Sequence, residues 1–198
     1  MMIKDLDSRI VRVWEGLRPV TKKMLTGAMQ PSGSPTGQTA PKYHYDAHAD
    51  WELSRLLSAL DEQKKSKNPK EAAKLAETCV RILEEQSGSA EVFIQLAQRV
   101  LKRHDYDKLE KLADMLLERF SAGEIAEIIR QTDLAQIRAI ACETLALLPL
   151  SAVAPLLNDP LYFDIAISAI EQMGYEFDSD EARAILEQLD AESSAPSE

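Results

Sequence analysis

In residues 1–25 the apolar side chains recur at heptad spacing. Ile3, Ile10, Leu17 and Met24 fall seven apart, with Leu6, Val13 and Val20 between them. This is the stripe of an amphipathic helix, interrupted near its end by Pro19. From about residue 45 a helical period returns in short blocks, which predict helices over 46–65, 69–86, 89–103, 106–120, 122–131, 134–148, 151–157, 160–173 and 179–190. No block alternates apolar and polar residues between turn signals, so no strand is predicted. The expectation is an all-α chain in which short joints stack antiparallel helix pairs, with a separate N-terminal amphipathic helix.

The start signals agree with these boundaries. Asn68-Pro69-Lys70-Glu71 supplies a cap, a proline at the first helical position and an acid two residues later, and Ser121 with Glu124 has the spacing of a capping box. Asp107 with Glu110, Asp133 with Gln136, and Asp178 with Glu181 repeat that spacing. Each such cap stabilises its helix by about 1 kcal/mol, because a side-chain oxygen satisfies an otherwise orphan backbone N–H. Residues 26–42 hold three glycines, three prolines, five Ser/Thr and one charge, the composition of a flexible linker. The predicted organisation is a helix over 1–25, a linker over 26–42, a helical-repeat domain over 43–191 and a disordered polar tail over 192–198.

The stretch AVAPLLNDPLYFDIAISAIEQMG, residues 152–174, has three acids and no base. A helix buried between two neighbours is apolar nearly all round, and stacking of repeated pairs produces such helices. Ile137, Arg138, Ala141, Leu145 and Leu148 are echoed twenty-five residues on by Tyr162, Phe163, Ala166, Ile170 and Met173, with Pro149 and Gly174 closing each unit. At these residues, and at the turn Asp159-Pro160, the sequence resembles HEAT repeats. It departs from them at Phe163, where the family usually places Arg, and in its shorter unit. Residues 93–117 resemble a tetratricopeptide hairpin through Phe93, Leu96, Ala97, Val100 and Tyr106, with His104 where that family prefers Gly and Leu109 where it prefers Ala. The resemblances cover roughly 120–175 and 90–118. They imply an α-solenoid-like fold and a protein-binding surface, against the alternative of an irregular helical bundle with the same stripes.

Charge narrows the choice of partner. The net charge is −10, yet residues 1–27 carry six Lys/Arg against three Asp/Glu, leaving −13 for the remainder. An acidic body repels phosphate backbones, which disfavours nucleic acid and favours a basic protein. No apolar run reaches the 18 residues or so that a transmembrane helix needs, and charges from Lys4 to Arg12 interrupt any signal-peptide core. A cytoplasmic location is expected, with Cys79 and Cys142 as reduced, buried thiols.

Candidate chemistry is sparse. His44 and His48 are four apart and, with Asp46 or Asp50, could hold a metal on one helix face. Asp46 equally suits the cap of the following helix, which would leave His44 outside it. Residues 178–187 have the alternating acids of a calcium loop but lack its central glycine, and capping accounts for them better. The five lysines of 63–74 are flanked by acids and read as a solvated turn. There is no Gly-rich phosphate loop, HExxH, GxSxG or dinucleotide fingerprint, so no cofactor is expected. Trp51, Leu53, Leu56, Leu57 and Leu60 have core spacing.

Ile10, Val13, Trp14 and Leu17 must either fold back onto the body, dock into a partner or a second copy, or lie on an anionic membrane. The leading expectation is a non-enzymatic interaction or scaffold protein that uses these four residues as an anchor. The alternatives are a metal-dependent enzyme around His44, Asp46 and His48, and an inhibitor or immunity-type protein binding a basic partner.

Overall fold

Pro19 does more than interrupt the N-terminal stripe, because it begins a second helix. Proline fixes φ and lacks an N–H, which suits the first position of a helix and no interior one. In the computed structural model, which describes residues 6–29, 45–63 and 68–193, the stretch expected to be one helix is two: α1 (Ser8–Gly16) and α2 (Pro19–Met29). Leu17, between them, is extended at φ −68 and ψ 147. The first four residues of the expected linker belong to α2, and its remainder, 30–42, lies outside the described residues.

The chain divides into two compact units, 1–87 and 88–198. This boundary falls inside the single repeat domain expected over 43–191. The first unit adds α3 (Ala47–Asp61) and α4 (Pro69–Gln86) to α1 and α2. In it α1 packs on α3, α2 packs on both α3 and α4, and α3 packs on α4. Ile10, Leu25, Leu53, Leu56, Leu57, Leu75 and Leu83 are the largest of its fully buried side chains. The N-terminal helices are therefore part of a folded unit and not a separate arm.

The second unit contains α5 (Ala90–Lys102), α6 (Tyr106–Arg119), α7 (Ala122–Gln131), α8 (Ala135–Leu147), the single turn α9 (Leu150–Val153), α10 (Phe163–Tyr175) and α11 (Asp180–Ser193). A 3-10 segment, Ala154–Asn158, joins α9 to the Asp159-Pro160 turn. Among the described residues there is no strand. The helices form packed pairs, α5 with α6, α7 with α8, and the 3-10 segment with α10. Successive pairs meet through α5 on α7, α6 on α8, and α8 on α10, and α11 closes the series on α10.

Of the five residue pairs in the twenty-five-residue echo, Ala141 with Ala166 and Leu145 with Ile170 are buried in both helices. Ile137, Ala141 and Leu145 are buried on α8, and Ala166, Ile170 and Met173 are buried on α10. Leu148, Tyr162 and Phe163 are only half-buried, and Arg138 is exposed. The apolar stretch 152–174 is thus buried in part and not all round, with Val153, Ala166, Ala169, Ile170, Met173 and Gly174 as its buried residues.

Gly174 does not end its helix, which runs on to Tyr175. It lets α11 come close: a Cβ there would stand 3.1 Å from Arg183 Cγ and 3.5 Å from the Arg183 backbone nitrogen. His104 has φ 56, the left-handed conformation that glycine adopts without a Cβ clash. His104 thus makes the joint between α5 and α6 in a conformation that costs a residue with a Cβ. α11 extends to Ser193, into the segment expected to be a tail, and residues 194–198 lie outside the described ones.

Candidate functional site

Of the four residues expected to anchor a partner, Ile10 and Leu17 are buried and Val13 and Trp14 are half-buried. Ile10 has no exposed surface, so it serves the core of the first unit and is closed to any partner. The physical reason is the break before Pro19, which turns α2 back to pack on α3 and α4 while α1 covers α3.

A polar network fixes that turn. Glu52, on the buried face of α3, is 1% exposed. Its carboxylate accepts the Arg18 backbone N–H at 2.6 Å, Arg18 Nε at 3.1 Å and the Thr21 hydroxyl at 2.5 Å. Arg18 also donates from both terminal nitrogens to Asp46, at 2.9 and 2.7 Å. A carboxylate from α3 thus occupies the N-terminus of α2, where orphan N–H groups and the helix dipole favour negative charge. Burial pushes the Glu52 carboxyl up, and the Thr21 hydroxyl together with the Arg18 N–H and guanidinium outweighs it, so the net shift is downward.

The same network occupies the candidate metal ligand. Asp46 caps α3 by accepting the Ala49 N–H at 2.8 Å, and both its oxygens are taken by Arg18. Asp50 accepts the Tyr45 hydroxyl at 2.5 Å. His48 is exposed, 3.9 Å from Glu52, and His44 lies outside the described residues. Among the described residues no three His, Cys, Asp or Glu are grouped to hold a metal ion. Of the lysine-rich turn, residues 64–67 lie outside the described residues.

Trp51 is not core but 55% exposed, with the Arg55 guanidinium 5.2 Å from its ring centre and the His48 ring at 5.5 Å. Helical spacing assigns it inward with Leu53, Leu56, Leu57 and Leu60, yet Trp51 falls on the flank of α3 that carries His48 and Arg55, opposite Leu53 and Leu60. Cys79 is buried as expected, and burial pushes its thiol up to about 12. Cys142 is exposed instead.

In the second unit Glu127 of α7 gathers Arg130 and Gln131 from its own helix and Tyr162 from 35 residues on, a partner that sequence spacing does not reveal. Its carboxylate accepts Arg130 at 2.7 and 2.5 Å, Gln131 at 2.5 Å and the Tyr162 hydroxyl at 2.9 Å, tying α7 to the turn before α10. The Arg130 hydrogen bonds, against an opposing effect of burial and with help from Gln131 and Tyr162, lower its pKa to about 2. A depressed carboxylate contributes stability that is present above its unfolded value of about 4.3 and lost as pH falls toward the folded value. We expect Glu127→Gln to flatten the acid limb of the second unit's stability between about pH 4.5 and 2. Urea unfolding followed by far-ultraviolet circular dichroism at stepped pH measures this, and an unchanged limb would refute the assignment.

The outer surface of this unit combines two properties. Residues 88–198 hold 21 Asp/Glu and nine Lys/Arg, a net of −12, while residues 1–87 hold 12 and 14, a net of +2. Leu134, Leu147, Leu161, Tyr175 and Phe177 are large apolar side chains left exposed on it. Between α8 and α10 lies an open groove of about 250 Å³, floored by Ile129 of α7 and edged by Cys142, Asp164 and Gln172. Among the described residues no single helix is long and apolar enough to cross a membrane.

No family model, curated protein or solved structure matches the chain.

Proposed function

We propose that the protein is a non-enzymatic interaction protein whose 88–198 unit receives a basic protein partner. The observation that carries this reading is the coincidence of a −12 charge with exposed Leu134, Leu147, Leu161, Tyr175 and Phe177 in one unit. Apolar side chains left in water favour burial by about 25 cal/mol per Å² covered, which supplies affinity. Surrounding acids steer a basic partner in and repel acidic ones, which supplies rate and specificity. The stacked pairs and the HEAT-like and tetratricopeptide-like residues support such a role, since folds of those kinds present binding surfaces. Scaffolding and neutralisation of a basic toxin or nuclease are two forms of this reading. A reducing, cytoplasmic setting suits the two free thiols.

The test is retention from native lysate on the immobilised full chain, beside a variant with the exposed acids Glu143, Asp164, Glu171 and Glu176 replaced by Gln or Asn. Basic proteins should bind the parent chain, elute as salt rises above about 0.1 M and be lost from the variant, since exposed charge is screened within about 10 Å there. Equal retention by both chains, or retention indifferent to salt, would overturn the proposal.

A further inference from the structure

We propose that the groove between α8 and α10 seats a basic amphipathic helix of the partner. This rests on the reading of the 88–198 unit as a surface for a basic protein, and assigns where on it recognition occurs. The floor is apolar and fixed: Ile129, Leu145 and Ala169 come from three different helices and are all buried. Ile165 and Cys142 form the walls, half-buried and exposed respectively. A volume of about 250 Å³ admits aliphatic side chains but not a folded domain. Because the groove runs between two helices, a third helix laid in it continues the packing of ridges into grooves, its anchors reaching the floor every three to four residues.

Charge selects the occupant. Residues 139–198 contain twelve Asp/Glu and a single base, Arg183. Asp164 stands on the groove's edge, and Glu171 and Glu176 are exposed further along α10 and just beyond its end. Lysines or arginines flanking the apolar stripe of an incoming helix would meet these acids, the competing cation on α8 being Arg138, whose charge is felt at Cys142 and whose guanidinium donates to the Thr132 carbonyl. A second copy of this unit, or an anionic lipid surface, would bring like charge to the same place.

Cys142 makes the proposal measurable, because it is exposed in the wall while Cys79 has no exposed surface. The experiment uses the full chain with a fluorescein-labelled peptide of Leu and Lys in helical spacing, beside a Leu-free Lys peptide of equal charge. Binding is read by anisotropy, and groove occupancy by the rate of Cys142 alkylation with iodoacetamide, mapped by mass spectrometry. The Leu/Lys peptide should slow Cys142 alkylation about tenfold, and Ser168→Arg, at an exposed lining position, should weaken its Kd about tenfold. The Leu-free peptide should bind more weakly and leave Cys142 open. Binding that neither protects Cys142 nor responds to Ser168→Arg overturns the groove while leaving an acidic binding surface. Absence of binding by either peptide removes both readings. Protection of Cys142 on raising the concentration of the chain alone assigns the groove to a second copy and also overturns the proposal.

Discussion

Glu52→Ala should destabilise the first unit by about 2–4 kcal/mol, far more than a typical change at a charged position. The variant leaves the Thr21 hydroxyl, 1% exposed, without its acceptor, and an unsatisfied buried polar group costs about 1–3 kcal/mol. It also removes the acceptor of the Arg18 N–H at the start of α2, and loss of a cap costs about 1 kcal/mol. Arg18 itself keeps its two bonds to Asp46, so no uncompensated buried charge is added to that sum. Glu52→Gln retains an acceptor while losing the charge, and should fall between the parent chain and Glu52→Ala.

The pH dependence separates charge from packing in this result. The Glu52 carboxyl is held below its usual value, so its contribution is complete above the unfolded value of about 4.3 and declines as pH falls through the folded one. The gap between parent and Glu52→Ala should therefore be widest near neutrality and narrow in acid. Trp14 and Trp51, the only two tryptophans, both belong to the first unit, so urea unfolding followed by tryptophan fluorescence reports that unit. A gap of equal size at about pH 3 and pH 7 would place the effect in packing and refute the role given to the charge.

What sequence spacing captures here is local, and what it misses arrives from across the fold. The caps of α3, α4 and α7 come from Asp46, Asn68 and Ser121, each in the expected place, because a cap is a contact over three residues. The capping box at Ser121 is only half made, however. Ser121 accepts the Glu124 N–H, but the Glu124 carboxylate turns away to accept the Ala90 N–H at 2.7 Å and so caps α5. Glu52 serves α2 in the same way from a separation of 34 residues. Two expected caps move by a residue or two for local reasons, Asp105 taking the place of Asp107 and Ser179 that of Asp178. The cap expected from Asp133 is not made: α8 starts at Ala135 without a side-chain cap, and Thr132 accepts the Leu134 N–H just before it.

The candidate site was legible only as a tendency. A surplus of acids is countable in the chain, but their concentration after residue 138 matters only once α8 and α10 are seen to lie side by side around Ile129. The N-terminal stripe misleads for the complementary reason. A heptad pattern says that a face will be buried, and Ile10 and Leu17 are, but it does not say by what. Pro19 held that answer, since a proline that begins a helix turns one arm into two packed helices.

Phe93→Ala should cost the second unit about 3–5 kcal/mol, the usual loss for an aromatic side chain deleted from a core that cannot collapse. Phe93 has no exposed surface, and its ring meets that of Phe120 edge to face, centroids 5.7 Å apart and planes at 72°. Phe120 follows the last residue of α6, at the joint leading to α7, and α5 packs on both of those helices. The pair therefore holds three helices where they converge, and deletion leaves a void bounded by elements that constrain one another. Phe93→Leu refills most of the space and should cost less than about half as much. Phe177→Ala is the control, because Phe177 is 46% exposed and a surface change of that kind falls within about 0.5 kcal/mol. Hydrogen exchange read on peptides from α5 to α7 localises the effect to this unit. A double-mutant cycle with Phe120→Ala should return a coupling of about 0.5–1.5 kcal/mol, and independent, additive losses would deny the ring contact its role.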